Sequence, residues 1–287
     1  MTNQSFARAS SISLTQAFQE VSFPIERRNL ITEDPNQPTD YQMVHRVDTN
    51  YDLGVVPVTY PKVGYRDVMK WMVQNFENAG LDYKLRDSIV QNKGDVYQEY
   101  IFDQDIDTPD GSEMSPLVIA RLSYVHSPLE IFFGSYRFTC SNGVLVGHTV
   151  QKIHVGPRVQ DLLQSSIKDD IKQSLQKFAE VSNLYSKLDN ESFNAYLIPY
   201  LLDHYITAGF KKAVLQELAN GGNVEVLKDK ISQDDFSSGD IESVINVKDE
   251  ISAWLFYNII TNIATRKSRS VGARFRNYQN ISRVFGI

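Results

Sequence analysis

The chain has 287 residues, 42% apolar and 22% charged, with a formal net charge of −6 and a single cysteine. A chain of this length buries about three quarters of the surface that it exposes when unfolded, so its ordinary composition excludes disorder as the default. One thiol excludes an intrachain disulfide and a cysteine-built zinc site, and no run approaches the ~20 apolar residues of a spanning helix. The expected setting is cytoplasmic, with no membrane insertion; "MTNQSFARASSISLTQAFQEVSFPIERRN" lacks the apolar core of a signal peptide.

In chain order, residues 1–40 read as a polar arm or linker closing on "TEDPNQPTD", where two prolines and three acids favour turn backbone. Residues 41–155 read as an α+β domain. "YDLGVVPVTY" is a strand, and "YRDVMKWMVQNFENAG" spaces Val68, Met69, Met72, Val73 and Phe76 helically, with Gly80 as its stop. "DYKLRDSIV", "DVYQEYIFD", "SPLVIARLSYV", "EIFFGSYRFTC" and "GVLVGHTVQKIHV" follow as strands between turn signals. The economical arrangement is one helix packed on one antiparallel sheet.

Within "FGSYRFTCSNGVLVG", Asn142-Gly143 predicts a type I′ hairpin turn, since both residues tolerate positive φ. Arg137, Thr139 and Ser141 would share one strand face, and Tyr136, Phe138, Cys140 and Asn142 the other. The structural alternative has the Arg137 stem lying on the sheet, its head on a carboxylate, and Cys140 as a small core residue.

Residues 156–287 read as a helical region with a basic end. Apolar positions from Val159 to Leu188 recur at three- and four-residue steps, and Pro157 suits the first turn. "ESFNAYLIPYLLDHYITAG" and "FKKAVLQELANGG" predict two more helices. "NVEVLKDKISQDDFSSGDIES" predicts an irregular connection, and "VKDEISAWLFYNIITNIATRKSRS" a last helix, acidic at its start and basic at its end. The expected fold class is therefore α+β: an antiparallel sheet with one packed helix in the N-terminal half, then a mostly α-helical C-terminal half.

Three blocks in order carry a family resemblance: "HRVDTNYDLGVVPVTYPKVGYRDVMKWM", "YRFTCSNGVLVG" and "SAWLFYNIITNIATR". They resemble the phage/plasmid-like protein family known as domain of unknown function 932. Its Arg-x-Asp, Leu-Gly and Tyr signature falls here on Arg46, Asp48, Leu53, Gly54 and Tyr60. Its central block falls on Arg137, Cys140 and Asn142, and its late block on Trp254, Asn258 and Thr261. The resemblance covers roughly residues 40–270. It implies a protein carried by phages, prophages or plasmids near recombination and anti-restriction functions, with no catalytic role attached.

Enzyme chemistry finds little purchase in the residues. His148 and His154 would lie six residues apart on one strand face, about 20 Å end to end, too far to share a metal without a bend. "DQDIDTPDGSE" has calcium-loop spacing from Asp103 to Asp110, but it carries Thr108 where glycine is required and lacks the closing glutamate. Cys140 has no catalytic signature around it, and no phosphate-cradling glycine loop is present. No cofactor is expected, and the chain reads as non-enzymatic.

Nucleic-acid binding has two supports. After Glu250 there is no acid, while Arg266, Lys267, Arg269, Arg274, Arg276 and Arg283 give the end a local +6, leaving −12 on residues 1–250. In "YPKVGYRDVMKW", Tyr60, Tyr65 and Trp71 alternate with Lys62, Arg66 and Lys70, the mixture that stacks bases and tracks a backbone. The structural alternatives are a solvated helix end and a core-facing Trp71. The expectation is a single-stranded DNA binding, annealing or recombination factor, homo-oligomeric through its long helix. Two alternatives stay open: an anti-restriction-like protein that binds a host defence protein, and a metal-dependent nuclease using Asp103 to Asp110 with His148.

Overall fold

The structure is a computed structural model of the full chain. It describes residues 11–31, 38–60, 62–104, 108, 111, 114–125, 129–137, 142–151, 172–173, 180, 183–193, 213–214, 216–218, 224–226, 245–247, 251–268, 273, 277–278, 280–281 and 285. The chain divides into two compact units, one of residues 1–104, 115–133 and 149–177, the other of residues 105–114, 134–148 and 178–287.

The first unit opens with helix α1 (Leu14–Glu20), whose Ser13 hydroxyl accepts from the Gln16 amide at 3.1 Å, satisfying one of the free N–H groups of the first turn. Strands β1 (Ile25–Ile31), β2 (Pro38–Arg46) and β3 (Tyr51–Pro57) then form an antiparallel sheet in that order. Register pairs Arg27 with Val44 and Val44 with Gly54, so the row facing inward includes buried Val44, and Val56 beside Gln42 continues that face. Arg28, Met43 and Val55 form a row on the opposite face.

Helix α2 (Tyr65–Asn78) follows as its apolar spacing predicts, burying Val68, Met69, Trp71, Met72, Val73 and Phe76 along one side. Its end is a Schellman closure: Gly80 at φ +68° donates to the Glu77 carbonyl, and Leu81 to that of Phe76 at 3.1 Å. The second sheet runs β4 (Tyr83–Gln91), β5 (Asp95–Phe102), β6 (Met114–Leu122), β7 (Leu129–Arg137) and β8 (Asn142–Gln151), in sequence order. Phe76 of α2 meets Tyr100 and Phe102 of β5 at ring separations of 5.1 and 5.0 Å, and each such buried ring contributes on the order of 2 kcal/mol. Buried Gln98 is satisfied on both sides, donating to the Met69 sulfur at 3.0 Å and accepting from the Tyr100 hydroxyl at 2.8 Å.

In the second unit, helix α3 (Ala253–Lys267) is capped by Ser252, whose hydroxyl accepts from the Leu255 amide at 3.1 Å. Strand β9 (Ser192–Phe193) pairs with β12 (Ile251–Ser252), and β10 (Val224–Val226) with β11 (Ile245–Val247). Trp254 and Tyr257 pack on Tyr185 at 4.7 and 6.0 Å, and the Tyr185 hydroxyl shares a 3.0 Å hydrogen bond with that of Ser135.

The expected fold class is corrected on three counts. The N-terminal half holds two antiparallel sheets, because β1 to β3 pair among themselves and not with β4. It also holds a second helix, for α1 and β1 both lie inside the segment read as an arm. The described residues of the C-terminal half include four short strands, two of them inside segments read as a helix and as an irregular connection. Of the residues read as the acidic start of the last helix, Val247 instead ends β11 and Ile251–Ser252 form β12. Asn142 and Gly143 lie in β8 and not at a turn, and residues 138–141, with Cys140, fall outside the described residues, as does most of the long helix expected after Pro157.

Candidate nucleic-acid interface

The residues just before α2 form one wall of a groove of about 450 Å³ in the first unit. Lys62, Val63 and Gly64 line that wall; Phe23, Ile25 and Arg27 come from the start of the first sheet, and Tyr124 from the end of β6. Two cations and two rings thus face one cavity, and no carboxylate lines it among the described residues. Asp67 stands beside the lining, its Oδ2 lying 3.3 Å from where a side chain on Gly64 would begin.

The rings form a preassembled stack. Tyr124 lies 3.9 Å from Tyr65 at an interplanar angle of 20°, and Phe23 meets both edge-on at 6.0 and 5.8 Å. Tyr65 is 2% exposed and donates its hydroxyl to the Gly94 carbonyl at 2.6 Å. Burial pushes its phenol well above the ordinary tyrosine range, and nearby Tyr124, Asp95 and Tyr60 push the same way. Burial raises the Tyr124 phenol too. Arg27 is held from below: its Nη1 donates to the Tyr60 carbonyl at 2.6 Å, and its guanidinium carbon sits 5.7 Å over the Tyr60 ring. Burial takes the Tyr60 phenol up to about 12, against the opposing pull of the Arg27 charge.

These positions sort the sequence-predicted residues. Lys62 lines the groove and is exposed. Tyr60 acts through Arg27, and Arg66 is exposed outside the lining, 5.9 Å over Phe18. Tyr65 is corrected: its buried ring cannot meet a base and instead supports Tyr124, which does line the groove. Trp71 is 5% exposed and belongs to the core of α2. Arg266 and Lys267 end α3, with side chains outside the described set, while Arg269, Arg274, Arg276 and Arg283 lie outside the described residues altogether.

The block residues have local tasks. Arg46 grips Asp48 through Nε and Nη2 at 2.7 and 2.8 Å, donates from Nη1 to the Lys93 carbonyl at 2.7 Å, and lies 3.8 Å over Phe23. That holds the β2–β3 turn and the β4–β5 turn against a groove ring. Leu53 fills the space that a side chain at Gly94 would need, and Gly54 lies against Val125. In the other unit, Asn258 and Thr261 donate to the Trp254 and Tyr257 carbonyls at 2.9 Å, one helical turn back. Arg137 ends β7 and Asn142 begins β8; their side chains are outside the described set.

Phe23, Ile25, Arg27 and Tyr124 were not singled out from the sequence. "FPIERRN" did carry a signal, since Phe23, Ile25 and Arg27 stand two residues apart as on one strand face, but only β1–β2 pairing turns Arg27 toward the groove. Among the described residues, no three His, Cys, Asp or Glu side chains gather as a metal site, and no helix is long and apolar enough to cross a membrane. His45 sits with Nδ1 2.7 Å from Asp52, and the side chains of the other four histidines lie outside the described set, as does most of the loop from Asp103 to Glu113. The chain matches no family model, no curated protein and no solved structure.

Proposed function

We propose that the chain is a non-enzymatic DNA-binding factor of phage or plasmid type that holds single-stranded DNA in the Arg27–Lys62–Tyr124 groove, as an annealing or recombination accessory in a bacterial cytoplasm. One observation carries this reading: a cavity in which two cations and two aromatic rings face the same space, with no carboxylate lining it among the described residues. Its volume of about 450 Å³ falls in the range of small-ligand sites, roughly 300–1,000 Å³, and suits one base with its phosphate. An unpaired base exposes the face that a ring stacks on, whereas a duplex keeps those faces covered, so single strands are preferred. The acid-free end after Glu250 supplies further cations for the flanking phosphates.

The test is a fluorescence-anisotropy titration of a labelled single-stranded oligonucleotide against salt, with a duplex of the same sequence beside it. Tyr124→Leu removes the platform and weakens single-strand binding by the ~1–3 kcal/mol that base stacking supplies, while Tyr124→Phe keeps it. Lys62→Ala lowers the salt slope by about 0.7, the share of one phosphate contact on a single strand. Asp67→Asn strengthens binding by removing a carboxylate beside Gly64 of the groove wall. Equal affinity for the duplex, or indifference to Tyr124→Leu, would overturn the reading.

A second reading is supported by the −12 balance of residues 1–250: an anti-restriction-like protein whose acidic body mimics nucleic acid for a host defence protein. It predicts no oligonucleotide binding at any salt.

A further inference from the structure

The supports of the two groove rings meet at one short turn. Arg46, whose guanidinium lies 3.8 Å over the Phe23 ring, donates from Nη1 to the Lys93 carbonyl at 2.7 Å. Tyr65, stacked 3.9 Å from Tyr124, donates its hydroxyl to the Gly94 carbonyl at 2.6 Å. Two successive carbonyls of the turn between β4 and β5 therefore each hold the side chain that carries one of the rings. Phe23 and Tyr124 line the groove, whereas Arg46 and Tyr65 are not lining residues.

The turn has the geometry of an anchor. Asn92 and Lys93 hold φ at +48° and +59°, in the left-handed region that residues with a side chain seldom adopt. Backbone of this kind persists where its surroundings over-determine it, and it gathers at functional sites. Here the first sheet does so: Lys93 Nζ lies 4.0 Å over the Tyr51 ring, and Leu53 of β3 fills the space beside Gly94. The Gly94 amide closes the turn on the Gln91 carbonyl at 3.0 Å. A side chain bonded to such a turn keeps one position. Arg46 is fixed further by its two bonds to Asp48, and Tyr65 by its burial.

We infer that the β4–β5 turn, through its Lys93 and Gly94 carbonyls, is the common positioning element of the groove, with Arg46 and Tyr65 as positioning residues that set Phe23 and Tyr124 for a base. The inference rests on the strand-binding reading of the groove and adds that its affinity is governed by contacts the strand never touches.

The test compares the full chain with Arg46→Met, Tyr65→Phe and the double variant, at a temperature where circular dichroism shows all four folded. Without oligonucleotide, nuclear Overhauser contacts between the Phe23 and Tyr124 rings, read in selectively labelled protein, should be present in the native chain and weakened in every variant. In the anisotropy titration, each single variant should weaken single-strand binding by about three- to tenfold with the salt slope unchanged, because no phosphate contact is lost. The double variant should lose little beyond the weaker single variant, since both anchors act through one turn. Arg46→Lys, which keeps a cation for Phe23 and a donor for the Lys93 carbonyl, should recover part of the affinity. Ring contacts unchanged in the double variant overturn the inference. So do single effects that simply multiply, or a salt slope lowered by about 0.7 in Arg46→Met, the mark of a direct phosphate contact. If Tyr124→Leu leaves binding untouched while the ring contacts still depend on Arg46 and Tyr65, the groove reading falls and the positioning role stands. If Tyr124→Leu weakens binding and neither Arg46→Met nor Tyr65→Phe does, the positioning role falls and the groove reading stands.

Discussion

Arg46 and Asp48 meet through two parallel hydrogen bonds, and that contact gives the β2–β3 turn an acid dependence. The Arg46 hydrogen bond is the largest influence on the Asp48 carboxyl and holds it below the usual carboxylate range. A carboxyl depressed by folding adds stability above its unfolded value, about 4, and that stability is lost as pH falls further. Asp48→Asn should therefore flatten the fall in melting temperature between about pH 5 and pH 2. At Gly94 the constraint is steric: a methyl group there would stand 2.6 Å from a Leu53 methyl carbon. Gly94→Ala should cost about 1–3 kcal/mol in urea denaturation, and much less in a Leu53→Ala background, because the two sites share one space. Tyr65 and Trp71 mark what single residues in the sequence conceal. Both stand in a run where cations alternate with rings, yet the period that places Tyr65, Val68, Met69 and Met72 on one side of α2 turns them into the core. Composition offered the ring for stacking, and helical phase assigned it to packing.

Elements were legible where local chemistry specifies them alone. Alternation and turn residues marked β3 to β8, and the apolar spacing with Gly80 marked α2 and its end. Gly80→Ala should destabilise by about 1 kcal/mol, because φ of +68° is strained for any residue with a side chain. Ser252→Ala should cost α3 a similar amount, about 1 kcal/mol, by freeing the Leu255 amide, and far-ultraviolet circular dichroism melts would report both. β1 escaped for a physical reason. "IERRNLI" has charged or polar residues at four of its seven positions, as an edge strand with one wet face does, so its identity comes from β2 across the turn. The short ladders β9–β12 and β10–β11 are likewise products of pairing between segments distant in sequence, which no local pattern encodes.

Across the whole molecule, the groove depends on chain segments from Phe23 to Tyr124 meeting in one unit, which is why the sequence yielded Lys62 but not the ring that faces it. The same assembly makes the unit sensitive to alkali. The phenols of Tyr60, Tyr65, Tyr100 and Tyr124 are all raised by burial, so the folded chain keeps protons that the unfolded chain releases. Stability is full below the unfolded value of about 10 and falls as pH climbs above it, and loss of groove-ring packing should accompany that fall in near-ultraviolet circular dichroism. The central claim is that bases lie on the Tyr124 platform. Photocrosslinking of a bromouracil-bearing single-stranded oligonucleotide to the native chain, with the adducts mapped by mass spectrometry, tests it most directly. The account predicts adducts at Tyr124 and Phe23 that disappear in high salt. Adducts confined to the outer face of the first sheet, or none at low salt, would contradict it.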